Sequence, residues 1–506
     1  MIKKIVLLSL ITLQSISWSQ NHRYTTTLFP SSTPINNVVY GTAPALNGPL
    51  YTVESSTTPQ NLIMDIYQPT GDPFTLRPAV ILAHSGAFLL GNRNVDDMKA
   101  LCDTLSRKGY VTATIDYRLG FSLIDNTTFV DNTELHSTRA VYRAIQDGRT
   151  AVRFLRANAA LYGIDPTKIY FIGSSAGSFI ALHSIYLDEA SEIPSQAGMV
   201  NYTNITPPFS HTAPSLGSLD IGNNLAFNGK PDAVVSMWGA IQSTNLITAN
   251  NTTPVLLIHG EADPYVNFNT GSPFGYTSLQ QADGSNTINT KLDALGFTNK
   301  ETYFVPGQVH EFYGTTNGTW NNGTGGNAYL PIITNRITQF LWKRHKPIAD
   351  YNWTSNLLST SFTDTSTGSL AWWWDFGDGT FSNEQNPTHL YATTNNYQVK
   401  LLVENDIKSW DEITKSVVVS NLATNQNNVT SFSITPNPTK ADIQINWNPN
   451  YTNVKYQIYD VMGKLVSEKQ MLTKGETISL SSLHYGLYFL KVSTENSIQT
   501  IKIVKQ

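Results

Sequence analysis

The 506-residue sequence predicts an α/β protein with a mostly parallel sheet, followed by two small all-β sandwiches. Three observations carry this. Between about residues 25 and 346, short continuous apolar runs alternate with helical patterns, as expected of a parallel sheet covered on both faces. After Lys346 the helical periodicity stops, and Asn, Thr and Ser separate aromatic and β-branched residues, which is the composition of β-sandwiches. At about 150 residues per domain the length accommodates three units.

The elements follow in order. Met1–Gln20 (MIKKIVLLSLITLQSISWSQ) has two lysines, an apolar run from Ile5 to Leu13 and small residues at Ser17 and Ser19. It reads as a signal peptide over residues 1–19, cleaved after Ser19, with an apolar run too short to span a bilayer. No other stretch is long and apolar enough, so no transmembrane segment is expected in the mature protein. Buried strands are expected at Pro78–His84, Val111–Asp116, Lys168–Gly173, Ala233–Trp238, Pro254–His259 and Glu301–Val305. Helices are expected around Met98–Arg107, over Thr138–Tyr162 and over Phe179–Tyr186. A polar insertion, about residues 187–230, is expected to roof the site.

Composition narrows the function. Charged residues are 14% of the chain, against about 25% in an average domain, and the net charge is −4. Nucleic acid and anionic membranes therefore find no basic surface, and neither is expected as a partner. The one cysteine, Cys102, excludes intramolecular disulfides and Cys-cluster metal sites. It is expected in a core.

The chemistry concentrates on one motif. Gly173-Ser174-Ser175-Ala176-Gly177 lies between an expected strand and an expected helix, the setting of a nucleophile elbow with Ser175 as nucleophile. Such a serine needs a base, and the base needs an acid to orient it. Asp263 follows the PVLLIH strand and His310 follows the ETYFV strand, so both belong on loops at the carboxyl ends of strands, where ligands bind in open α/β sheets. Glu261 and Asp232 are the competing acids, and His84, His183, His211, His259 and His345 the competing bases. His310 is preferred because it follows the acid by a helix and a strand. The loop His84-Ser85-Gly86-Ala87-Phe88 is placed to form an oxyanion hole, with the amides of Gly86 and Ala87 acting beside that of Ala176 and either of the first two as the main donor. The His84 ring is expected to pin this loop. Phe88, Trp238 and Tyr265 flank these loops and are candidate substrate contacts, with plain packing as the alternative.

These motifs, with Asp116-Tyr117-Arg118-Leu119-Gly120 and the stretch from Asp147 to Gly177, resemble the α/β-hydrolase carboxylesterases, especially bacterial esterases related to hormone-sensitive lipase and to feruloyl and acetylxylan esterases. The likeness covers about residues 50–345. It implies an α/β-hydrolase fold and ester hydrolysis through an acyl-enzyme on Ser175, with no metal and no organic cofactor. Ser178 stands where many relatives carry glycine.

Residues 347–420 contain Trp374-Asp375-Phe376-Gly377-Asp378-Gly379, Asn386-Pro387-Thr388-His389-Leu390-Tyr391 and Tyr397-Gln398-Val399-Lys400-Leu401, and resemble a polycystic-kidney-disease (PKD) domain, an immunoglobulin-like sandwich. Trp374 is expected in its core and Trp373 on its outside. A linker is expected at 421–430. Residues 431–506 contain Thr435-Pro436-Asn437-Pro438-Thr439, Ile458-Tyr459-Asp460-Val461-Met462-Gly463 and Leu483-His484-Tyr485-Gly486-Leu487-Tyr488, and are similar to the C-terminal sorting domain of the type IX secretion system. That resemblance implies export across the outer membrane by the type IX machinery. The expected protein is thus a secreted serine esterase acting on polysaccharide-linked feruloyl or acetyl esters or on short-chain esters. A polyester or lipid hydrolase and a catalytically silent adhesin are the alternatives.

Overall fold

The computed structural model describes residues 22–46, 54, 57–120, 133–205, 208–420, 432–447, 453–469, 472–473, 475–494 and 498–506. The expected signal peptide and the 421–430 linker lie outside the described residues.

The first unit is built on an eight-stranded sheet: β1 (Ser32–Leu46), β2 (Thr57–Pro69), β3 (Arg77–Ala83), β4 (Val111–Ile115), β5 (Ile164–Ser174), β6 (Ala233–Met237), β7 (Val255–Gly260) and β8 (Lys300–Val305). The order is β1-β2-β4-β3-β5-β6-β7-β8. β1 and β2 join antiparallel, and every pairing from β4 to β8 is parallel. The six parallel strands are the six expected from apolar runs. The β1–β2 ribbon was not anticipated, because much of β1 is exposed and polar and carries no continuous apolar run.

Helices cover both faces. In β3, Ala79 and Ile81 join one core while Val80 and Leu82 join the other, and β5, β6 and β7 alternate in the same way. This period-two split is why the strands read as unbroken apolar runs. One face is covered by α2 (Thr133–Ala157), α3 (Ala176–Tyr186) and α4 (Ser285–Ala294), the other by α1 (Asp96–Ser106) and α5 (Tyr329–Trp342). Each fully buried aliphatic side chain contributes about 1.5–3 kcal/mol. Cys102 is one of the α1 residues in the second core.

The insertion at 187–230 is held along α2. A stripe at helical spacing, Arg139, Gln146, Arg149, Arg153 and Arg156, donates to it. Arg139 reaches the carbonyls of Gln196 (2.6 Å) and Gly198 (2.8 Å), and Gln146 those of Leu216 (2.9 Å) and Ser218 (2.8 Å). Arg149 and Arg153 share Asp220, and Arg156 reaches the Lys230 carbonyl (2.8 Å). Of this insertion, Leu187 and Pro194 line the cleft described below.

Beyond Lys346, a three-stranded sheet (Tyr351–Asn356, Ser359–Asp364, Thr388–Leu390) and a four-stranded sheet (Ala371–Asp375, Phe381–Ser382, Asn395–Glu404, Trp410–Val419) enclose a core containing Trp374, Tyr351 and Phe362. Trp372 packs against this core and its indole donates to Asp364 (2.8 Å), while Trp373, on the opposite face by strand alternation, is half-buried. A second pair of sheets, of three strands (Ser433–Thr435, Asp442–Asn446, Thr477–Ser479) and four (Lys455–Asp460, Leu465–Lys469, Gly486–Ser493, Ile498–Lys505), has its own core around Ile445, Ile458 and Leu490.

Arg153→Ala removes donors to Asp220 and to the Ile221 and Asn223 carbonyls. It should destabilise the unit by about 1–3 kcal/mol and open residues 214–230 to cleavage. Denaturant melts and limited proteolysis measure both effects.

Candidate active site

β5 runs into α3 through Ser175, whose backbone is strained at φ 51°, ψ −112°. The turn is possible because two backbones touch: a β-carbon on Gly173 would lie 2.1 Å from the Gly177 carbonyl oxygen, and one on Gly177 would lie 2.2 Å from that of Ala83. The Ser175 amide donates to the Met237 carbonyl (3.0 Å). Ser178 completes the anchorage: its hydroxyl donates to the Gly173 carbonyl (2.6 Å) and accepts from the Met237 amide (2.9 Å). A glycine at this position would lack both bonds.

The structure brings Ser175, His310 and Asp263 together. His310 Nε2 is 2.9 Å from Ser175 Oγ, and His310 Nδ1 is 2.6 Å from Asp263 Oδ2. Burial by itself would raise the Asp263 carboxyl, but hydrogen bonds from His259 and His310 hold it well below the usual carboxylate range. An ionised carboxylate only accepts, so Nδ1 carries the His310 proton and Nε2 is left to accept from the Ser175 hydroxyl. The acid and base loops also bind each other, the Ala262 amide donating to the Gln308 carbonyl (2.9 Å).

The rival residues have other tasks. His259, weighed as a base, donates from Nε2 to Asp263 Oδ2 (3.1 Å) and the Val266 carbonyl (3.0 Å), so it is a second donor to the carboxylate oxygen that His310 binds. The amides of Tyr265 and Val266 donate to Asp263 Oδ1 at 2.8 and 2.9 Å. Glu261 is exposed. Asp232 binds Arg156 and the Ile169 amide. His183 is buried on α3, donating to the Phe179 carbonyl and accepting from the Gln242 amide, and burial lowers its pKa to about 4. His345 is also buried, its pKa lowered to about 3 by burial.

The loop expected to form the oxyanion hole follows β3. Gly86, Ala87 and Phe88 all have positive φ (121°, 54° and 60°). Ala87 and Ala176 line the cleft beside Ser175. The Ala176 amide is among those at an α-helix N-terminus with no acceptor within the helix. Gly86 makes the turn, since a β-carbon there would meet the Leu90 carbonyl oxygen at 2.2 Å; it does not line the cleft. His84 is buried against Tyr117 (ring centroids 4.3 Å), bonds the Ser85 carbonyl and has its pKa lowered by burial to about 4, as suits a loop pin. The Asp116–Arg118 segment is framework: Asp116 binds Arg93, and Arg118 binds Asp147 in the middle of α2.

Two lobes open at Ser175. The apolar lobe is lined by Phe88, Val141, Phe179, Leu187, Val266 and Leu279, among others. The polar lobe is lined by His310 with Gln308, Thr315, Asn317, Asn321 and Asn327. Phe88 belongs to the first and Tyr265 to the second. Trp238 belongs to neither. It is 0% exposed, its indole donates to Ser174 Oγ (2.9 Å), and it packs on Phe312 and Tyr313, so the candidate contact is a core residue. A residue at a strand end can point into the sheet's flank as readily as toward the mouth. Sequence reasoning also missed Phe274, which lies in a Pro-Phe-Gly turn without periodicity to mark it.

Behind Trp238 lies a buried acid. Asp97, at the start of α1, accepts from the Tyr313 hydroxyl and the Met98 amide. Burial pushes its pKa up to about 8, aided by the charge of Glu311 against the bond from Tyr313. The folded state therefore holds a proton that the unfolded chain releases near pH 4. Asp97 thus supports the fold fully only below about pH 4 and withdraws that support as pH rises toward 8. Asp97→Asn should flatten this dependence: calorimetric Tm values of wild type relative to the variant are expected to fall steadily from about pH 5 to 8.

Comparison with known proteins places these features in families. The family model BD-FAE matches residues 64–213, the PKD domain matches 347–420, and the secretion system C-terminal sorting domain matches 433–506. The BD-FAE match includes the oxyanion loop and the elbow; Asp263 and His310 lie beyond it. Among curated proteins, a probable isoprenylcysteine alpha-carbonyl methylesterase of Oryza sativa subsp. japonica is 31% identical over 118 residues, 23% of this chain and 23% of that protein. Carboxylesterase 3B of Mus musculus is 31% identical over 134 residues, 26% of this chain and 21% of that protein. The chain thus spans less than a quarter of the length of these two relatives. Among solved structures, Thermogutta terrifontis esterase 2 phosphorylated by paraoxon is 18% identical, covering 62% of this chain and 95% of that one, with a TM-score of 0.38. Among the described residues no helix is long and apolar enough to cross a membrane. The chain carries an α/β-hydrolase domain matched in part by the BD-FAE model, followed by a PKD domain and a secretion system C-terminal sorting domain, the mark of type IX export to the outside or the cell surface.

Proposed function

We propose that this protein is a secreted serine carboxylic-ester hydrolase working through Ser175, His310 and Asp263. The single observation that carries the reading is the unbroken hydrogen-bonded series from Asp263 through His310 to Ser175 Oγ. His310 Nε2 takes the Ser175 proton as Oγ attacks the ester carbonyl, and the amides of Ala176 and Ala87 receive the oxyanion. Nε2–H then protonates the departing alcohol oxygen. Water, activated by the same imidazole, releases the acid from Ser175. Asp263 stays ionised throughout and stabilises the imidazolium. No metal or organic cofactor has a part in these steps.

The substrates we propose are feruloyl or acetyl esters on polysaccharides, and related short-chain esters. Export supports this, because polymers are met outside the cell. The polar lobe supports it too, since the amide and hydroxyl side chains of Gln308, Thr315, Asn317, Asn321 and Asn327 line it beside Glu311, and no lysine or arginine is among its lining residues.

Ser175→Ala should lower p-nitrophenyl acetate turnover about 10⁴-fold or more; equal rates in variant and wild type would overturn the enzyme reading. The base must be neutral to accept a proton, so kcat/KM should fall toward acid pH. A profile flat down to about pH 4 would exclude His310 as the base.

A further inference from the structure

We infer that Phe274 is a specificity-determining residue that divides the cleft, directing the acyl group of the ester into the apolar lobe and the alcohol into the polar one. This rests on the ester-hydrolase reading above.

Three residues line both lobes: Ser175, Ala87 and Phe274. Ser175 carries the attacking oxygen and Ala87 belongs to the oxyanion loop. Phe274 alone of the three has a large side chain, and it lies where the lobes meet.

The sides are assigned by proton transfer. When the tetrahedral intermediate collapses, the bond from carbon to the alcohol oxygen breaks, the new bond to Ser175 Oγ remains, and the proton on His310 Nε2 moves to the departing oxygen. The alcohol must therefore leave on the side of His310. His310 lines the polar lobe and not the apolar one. The acyl group stays on Ser175 and extends the other way, among Phe88, Val141, Phe179 and Leu279. A hydrocarbon or aryl acyl chain suits that wall, and a neutral hydroxylated alcohol suits the opposite one.

The local structure of Phe274 is consistent with such a role. Its backbone is left-handed, φ 57° and ψ 10°, a conformation unfavourable for a bulky residue and concentrated at ligand clamps and active sites. Its amide donates to the Tyr265 carbonyl (2.7 Å), and its ring lies 5.6 Å from that of Tyr265. Tyr265 in turn stands edge-on to His310, with ring centroids 5.5 Å apart and planes at 88°. The ring is thus tied to the base through one neighbour. Yet 40% of Phe274 is exposed, which leaves apolar surface for a substrate to cover.

The test compares p-nitrophenyl acetate, butyrate, octanoate and benzoate with wild type, Phe274→Ala and Phe274→Leu. Wild type should favour the larger acyl groups. In Phe274→Ala the kcat/KM ratio of octanoate or benzoate to acetate should fall about tenfold or more, chiefly through KM, and Phe274→Leu should restore part of it for octanoate. A ratio unchanged in both variants overturns the inference, and since it is a ratio, loss of folded protein does not imitate it. If Phe274→Ala instead alters the preference between methyl and p-nitrophenyl esters of one acid while leaving the acyl ratio alone, the assignment of the lobes is wrong. Failure of the underlying reading looks different: Ser175→Ala would then turn over acetate as fast as wild type.

Discussion

The end of β3 and the start of α3 meet backbone to backbone, with no room for a β-carbon on Gly177 against the Ala83 carbonyl. That approach sets the rest of the site. It forces the chain through a strained Ser175, lifts the hydroxyl clear of the sheet and leaves the Ala176 amide at a helix start. The oxyanion loop begins at His84, one residue beyond Ala83, so nucleophile and loop are registered by one contact. Strain of about 1–3 kcal/mol at such a residue is sustained because the Ser175 amide and the Ser178 hydroxyl are both bonded to Met237 or its neighbours.

Charge is used sparingly around this elbow. Asp263 is ionised between two imidazoles and two backbone amides, so the fixed negative charge that orients His310 is itself fully bonded. Asp97, separated from Ser175 by Trp238 and Ser174, is the opposite case: no cation pairs with it among the described contacts, and burial favours its neutral form. Two buried carboxyls of one domain thus take different protonation states because only one is given donors enough to stay charged.

The domain's arginines serve architecture. Arg139, Arg149, Arg153 and Arg156 form a stripe along α2 that satisfies carbonyls and Asp220 in the insertion, while Arg118 closes the loop after β4 onto Asp147. Apart from its hairpin, Val200–Ile205 paired with Pro208–Ala213, a segment of this length has many backbone acceptors that need donors. Guanidinium groups, with five donors each, supply them economically. The insertion is therefore docked on the helix that forms one wall of the apolar lobe, and among the described residues it adds Leu187 and Pro194 to that wall.

Much of the fold and the site was legible in the sequence. Apolar runs marked the six parallel strands because both faces of the sheet are buried, and the elbow announced itself because its close approach tolerates few residue types. Strand order put Asp263 and His310 on loops that the structure brings to Ser175. β1 and β2 were not legible, since their partners rather than their own residues make them strands. Nor was the fate of the aromatics: Trp238, Tyr265 and Phe274 all lie near the site in sequence order, yet one is core, one flanks the base and one stands between two lobes. The sequence alone determined which residue types could do the chemistry, because backbone geometry and proton transfer demand particular side chains at particular strand ends. Only the tertiary structure decided which side chains face the substrate, because that depends on packing among segments far apart in the chain, and local pattern carries no record of it.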